Sequence, residues 1–208
     1  NVRPHNMTLP PIAIFHVDTV SPSGFHEFRE SISRSRLQVA IIPREPPGPM
    51  ASLEWLTPTV VIGFIASAYF GGFLQELGKD HYTIVKQQFR KLYRQVAGPE
   101  APEVKIISSS GKSAKVQKYS LYFSVVGETS TGLKLKLLIP QSITQTDYET
   151  MIDRFLDYLE EVNSEHPKQT LLKKLQESNP IGRTALLVYD NETRTIAPID
   201  PRTGEIIR

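Results

Sequence analysis

Three short runs of this chain carry residue types that could do chemistry. Gly111-Lys112-Ser113 has the ending of a phosphate-binding loop, whose backbone N–H groups cradle phosphates while its lysine reaches them. Such a loop also needs a glycine five residues ahead of the Gly-Lys pair and a helix behind it. Ile106 stands in the first place, and the residues beyond Ser113 read as a strand. His26-Glu27 opens like the zinc-protease helix motif, but Glu30 occupies the place of the second histidine. Pro99-Glu100 followed by Glu103-Val104-Lys105 offers the acids and lysine that a metal-dependent nuclease gathers around a divalent cation. The two parts are very close together there, and a glutamate replaces the usual first aspartate. The five histidines (His5, His16, His26, His81 and His166) are scattered, with no pair at ligand spacing. A lone histidine in an apolar strand, as at His16, reads as a satisfied core residue. The chain has no cysteine, hence no thiol nucleophile, disulfide or thiolate metal site. No serine sits in a nucleophile elbow. These residues assign no catalytic group, no metal ligand and no cofactor, and they lean away from an enzyme. A metal-dependent hydrolase or nuclease centred on Glu103 and Lys105 is the last of the alternatives.

The least ordinary part of the chain is a stretch without Asp, Glu, Lys, Arg or His, from Trp55 to Gln75, which runs into a basic segment from Lys79 to Val96. The uncharged stretch has the length of a membrane span, about 20 residues. Its strongly apolar part, Val60 to Ala66, is short, and Pro58, Gly63, Gly71 and Gly72 interrupt it. Thr57 and Pro58 suit a helix start. Gly63, Ser67 and Gly71 recur every four residues, as in a helical stripe of small side chains that lets another backbone come close. The reading adopted is a buried, apolar, glycine-containing helix, so that replacing Gly71 would disturb the core. A second copy of the chain, or another protein, is the other partner for the stripe.

The basic segment places Lys79, Lys86, Arg90, Lys91 and Arg94 against one acid, Asp80. An anionic membrane surface would attract such a helix. Nucleic acid is disfavoured, because the net charge is only +2 and no aromatic residues interleave with the cations. An internal partner exists as well. The segment from Asp147 to Glu165 carries Asp147, Glu149, Asp153, Asp157, Glu160, Glu161 and Glu165 against one Arg154, and the two segments could neutralise each other.

The remaining elements follow from periodicity. Ile12–Val17 and residues 37–42 read as strands, with a short helix between them marked by Phe25, Phe28 and Ile32, which makes a β-α-β unit. A proline-rich loop occupies residues 43–49. Tyr82, Val85, Phe89, Leu92, Tyr93 and Val96 line one face of the basic helix. Residues 103–107, 118–126 and 133–139 read as strands, the last two joined by a glycine-bounded hairpin loop. Leu133-Lys134-Leu135-Lys136-Leu137 alternates strictly, which predicts one wet face. Thr146-Asp147-Tyr148-Glu149 has capping-box spacing. Tyr148, Met151, Ile152, Phe155, Leu156, Leu159 and Val162 then form a helical stripe. A further helix near Leu171, Leu172 and Leu175 and a closing hairpin around Asp190-Asn191-Glu192 complete the chain.

The expectation is one α+β domain over residues 1–208, with a mixed, largely antiparallel sheet packed against several helices, one of them the apolar glycine-containing helix. Residues 1–11 contain no continuous apolar run and do not read as a secretory signal. The lack of cysteine suits a reducing, cytoplasmic location. The expected role is non-enzymatic: a binding or interaction module acting through protein–protein contacts, with a protein partner or self-association. The candidate contact residues are Gly63, Ser67, Gly71, Lys86, Arg90, Lys91 and Arg94. The alternative is a membrane-associated component using residues 55–75 and 79–96.

Overall fold

Apolar runs of two periods, separated by turn-forming residues, build seven strands and four α-helices in the computed structural model, which describes residues 10–33, 37–45, 59–97 and 118–208. In chain order these are β1 (Ile12–Val17), α1 (Ser23–Ser33), β2 (Val39–Arg44) and β3 (Val61–Ile65). A π-helical turn (Tyr69–Phe73) leads into α2 (Leu74–Ala97). Then come β4 (Phe123–Glu128), β5 (Lys134–Leu137), α3 (Gln145–Val162), α4 (Gln169–Glu177), β6 (Thr184–Asp190) and β7 (Thr195–Ile199). The strands form one sheet in the order β2-β1-β3-β4-β5-β6-β7.

Parallel and antiparallel pairings alternate across this sheet. β1–β2, β3–β4 and β5–β6 are parallel; β1–β3, β4–β5 and β6–β7 are antiparallel. The sheet is therefore mixed, and the expectation of a largely antiparallel one is corrected. The reason is connectivity: adjacent parallel strands need a crossover of a dozen or more residues, usually a helix. Here α1, α2 and the α3–α4 pair lie in the three connections that join the parallel partners. The expected β-α-β unit and the two expected hairpins are present within this pattern. Each edge strand of the sheet carries a proline, Pro43 in β2 and Pro198 in β7, where a missing N–H costs the ladder least.

A second correction concerns the apolar stretch. Its described part is not one glycine-containing helix; Val61-Ile-Gly-Phe-Ile65 is the strand β3, between β1 and β4. An interior strand buried on both faces reads as a continuous apolar run, which periodicity alone cannot separate from a buried helix. Trp55, Thr57 and Pro58 lie outside the described residues. So do His5, Pro46–Pro49, Glu100, the expected strand 103–107 with Glu103 and Lys105, and Gly111-Lys112-Ser113.

The helices pack on one face of the sheet. Ile12, Ile14, Val61, Ile65, Phe123, Val125, Leu135, Leu137 and Leu187 meet Phe25, Phe28, Val85, Phe89, Leu92, Tyr148, Ile152, Phe155 and Leu159 in the main core. Every residue expected on the inner faces of α1, α2 and α3 is buried there, while in α4 Leu175 is buried and Leu171 and Leu172 are half-buried. Two glycines let the helices settle close to the strands. A Cβ on Gly63 would lie 2.6 Å from the Phe89 ring, and one on Gly127 would collide with the Leu159 side chain. The Phe89 ring stands edge-on to Phe28, and Tyr148 stacks on Tyr93 at 4.0 Å while its hydroxyl donates to the Phe89 carbonyl. His16 is a satisfied core histidine, with Nδ1 2.9 Å from the Val17 carbonyl and its ring against Phe25.

Two local expectations change. The α3 cap is Thr144 rather than Thr146: the Asp147 N–H donates to the Thr144 hydroxyl oxygen, and that hydroxyl donates back to Asp147. A Thr-x-x-acid spacing occurs at both places, and the helix starts at the earlier one. In β5, Lys134 is exposed as expected, but Lys136 is only 7% exposed. Burial, with a smaller contribution from the Arg44 charge, pushes the Lys136 ammonium down to about 8.

Candidate binding cleft

After β3 the chain must bury both Tyr69 and Phe70 while placing two glycines outside. A π-helical turn does this, with the Leu74 N–H donating to the Tyr69 carbonyl across five residues. Gly71 and Gly72 are exposed, and a Cβ on either would meet nothing within 4 Å. Helix continues to Gly78, which adopts φ 78° and ψ −179° and breaks α2 into two segments. Side chains are strained in that conformation, so glycine is the residue that fits. The Tyr69 hydroxyl and His81 Nδ1, 3.2 Å apart, tie the two sides of the break together. Burial holds the His81 imidazolium below its ordinary pKa, with the Ile32 carbonyl opposing it, so the ring is neutral at pH 7.

The facing wall is the C-terminal end of α3. Together the two walls enclose a cleft of about 750 Å³ lined by Gly71, Leu74, Gly78, Lys79 and Tyr82 on one side and by Glu160, Asn163 and Glu165 on the other. Asn163 donates through Nδ2 to the carbonyls of Glu128 and Leu159, which leaves its buried Oδ1 without a protein partner. The Tyr82 hydroxyl donates to Asp157 at 3.2 Å. Desolvation first, then the charges of Asp157 and Glu160, keep that phenol protonated far above its usual range. Glu160 and Glu165 form no ion pair among the described residues, and the C-terminus of α3 adds the negative end of its macrodipole beside them. Among the described residues Lys79 is the one lysine or arginine in the lining.

The seven residues singled out from the sequence do not form one surface. Gly63 is packed under Phe89, Ser67 is half-buried just beyond β3, and Gly71 is exposed at the cleft. The four cations are engaged within the chain. Lys86 pairs with Asp157, Arg90 bidentately with Asp153, and Arg94 with Glu149 at 3.7 Å, while Lys91 reaches Glu27 at 3.0 Å. Residues 86, 90 and 94 meet 157, 153 and 149 in descending order, so α2 and α3 run antiparallel, with Lys86 also over the Tyr82 ring. The mutual neutralisation anticipated from the sequence occurs for Lys86, Arg90 and Arg94, whereas Lys91 turns to Glu27 of α1. The part-exposed pairs of Lys86 and Arg90 contribute about 0.2–1 kcal/mol each, so the main effect of these contacts is to fix register and occupy the cations.

Sequence reasoning missed Gly78, Tyr82, Glu160, Asn163 and Glu165 as lining residues. Gly78 inside a helical pattern was the available signal for a break; the α3 residues gave none, because their place depends on the packing of α3 against α2. Among the described residues, no helix is long and apolar enough to cross a membrane, and no three His, Asp or Glu side chains are grouped as a metal ion would require. Set against protein-family models, curated proteins and solved structures, the chain matches none of them. The fold and the cleft define a cysteine-free, mixed α+β protein with an open, glycine-walled groove.

Proposed function

We propose that the protein is a non-enzymatic binding module acting through protein–protein contacts, and that the cleft beside Gly71 receives a peptide segment presenting a lysine or arginine next to a small or apolar residue. One observation supports this most: an open glycine wall, where a backbone can approach, faces two carboxylates that form no ion pair among the described residues. The half-exposed side chains of Phe73 and Leu74 add apolar contact beside the glycines. The absence of cysteine suits work in a reducing compartment such as the cytoplasm. No observation favours the membrane reading over this one, since four of the five cations it would use, all but Lys79, are held by carboxylates.

Selection of displayed random peptides on the immobilised protein tests the reading. The expected winners carry Lys or Arg, and they lose binding to Gly71→Leu and to the Glu160→Gln/Glu165→Gln double variant, both with unchanged circular dichroism. Absence of enrichment, or peptides indifferent to both variants, overturns it. Light scattering that shows a dimer abolished by Gly71→Leu would transfer the cleft to a second copy of the chain.

A further inference from the structure

A separate pocket of about 580 Å³ opens between the β4–β5 loop, the α3–α4 connection, α4 and the loop before β6. Leu133, Val162, Pro167, Leu172, Leu175 and Pro180 make its walls apolar. Its volume falls in the range of small-molecule sites, about 300–1,000 Å³. Among the described residues Arg183 is the only charged one in the lining, and there it is exposed and pairs with no carboxylate. Its Nη2 donates to the Thr131 carbonyl at 2.6 Å, and a Cβ on Gly132 would lie 2.9 Å from that nitrogen. The guanidinium is thus laid over the β4–β5 turn at the pocket margin. Its backbone is held at φ 60°, directly after Gly182 at φ 57°. A residue with a Cβ adopts that left-handed conformation only at a cost, and here the surrounding loop imposes it on the arginine. One N–H of the planar fork is used by Thr131, which leaves others for a second acceptor.

We propose that this pocket binds a small amphiphile with a single carboxylate head, held by Arg183, and an aliphatic chain of medium length laid among the leucines. A lone guanidinium matches a monoanionic, planar, bidentate acceptor. A phosphate monoester would call for further cations, and the lining supplies none. The apolar walls exclude water from the chain and favour its transfer from solvent. This site is independent of the Gly71 cleft, and neither reading depends on the other.

Decanoate, used below its micelle concentration, is the probe. Titration followed by amide NMR should give saturable shifts confined to residues 129–133, 162–176 and 180–183. Arg183→Asn keeps a residue that tolerates the left-handed backbone and removes the guanidinium. It should weaken decanoate at least about tenfold while leaving 1-decanol within about twofold. Leu172→Trp should fill the pocket and abolish binding of both probes at an unchanged unfolding midpoint. The inference fails if wild type shows no saturable shifts, or if Arg183→Asn holds decanoate as tightly as wild type does. Should that variant not fold, wild type alone decides: decanoate must bind several-fold tighter than 1-decanol, and equal binding of the two overturns the role given to Arg183.

Discussion

The uncharged run divides at Ala66 into two regions of similar composition and opposite surroundings. Before it, Val61–Ile65 is an interior strand, and Gly63 is a glycine because Phe89 lies on it. After it, the π-helical turn buries Tyr69 and Phe70 but sets Gly71 and Gly72 in the open, with nothing near the place of a Cβ. The same residue type answers two different demands. In the strand, the missing side chain lets a helix close on a sheet; at the turn, it leaves a wall uncovered. Small-residue spacing by itself therefore does not distinguish a packed contact from a vacant one, and only the second can receive a partner.

The largest test of this contrast uses aromatic truncation on each side. Phe155 is fully buried beneath the sheet, and Phe155→Ala should cost about 3–5 kcal/mol. Phe73, half-buried at the turn, should lose about 1 kcal/mol or less as Phe73→Ala. Denaturant midpoints at constant slope measure both, and equal losses would break the comparison.

Glycine replacement sharpens it on the residues themselves. Gly63→Ala forces a methyl group against a ring that Phe28 braces from beside it, so overpacking should cost about 1–3 kcal/mol. Gly71→Leu meets no obstacle and should stay within about 0.5 kcal/mol of wild type. The core placement expected for Gly71 from its spacing is thereby corrected. A strongly destabilised Gly71→Leu protein would show that the wall is closed in solution.

The smallest effect per step is a pH dependence carried by Lys136, buried in β5 where Lys134 is exposed. Burial lowers the Lys136 pKa to about 8 from an unfolded value of 10.5, so between those values the unfolded chain binds the extra proton. Stability should then rise with pH from about 8 to about 10.5, by at most about 1.4 kcal/mol per unit. Below pH 8 both states are protonated and the lysine gives no slope. Lys136→Met should flatten this window. Urea midpoints across the range read the difference, and a slope of unchanged size in Lys136→Met would refute the assignment.

Much of the architecture was legible because it is written in neighbouring residues. The stripes of α1, α2 and α3 needed only the 3.6-residue period, and each of their residues is buried. The hairpins at Gly127–Gly132 and Asp190–Glu192 needed only turn-forming residues between apolar runs. The Thr144 cap was missed by two residues because local spacing admitted two solutions.

What the sequence determined alone, then, is which face of each helix seeks the core and where the chain reverses, since both follow from residues within a turn or two of each other. Tertiary structure decided the rest. It made residues 61–65 a strand by placing them between β1 and β4. It engaged four of the cations of α2 with acids as far as 71 residues away, and it set Gly63 under Phe89 while leaving Gly71 bare. The physical reason is that burial and charge pairing are properties of what lies across the gap, and no local pattern records the residue that will be there.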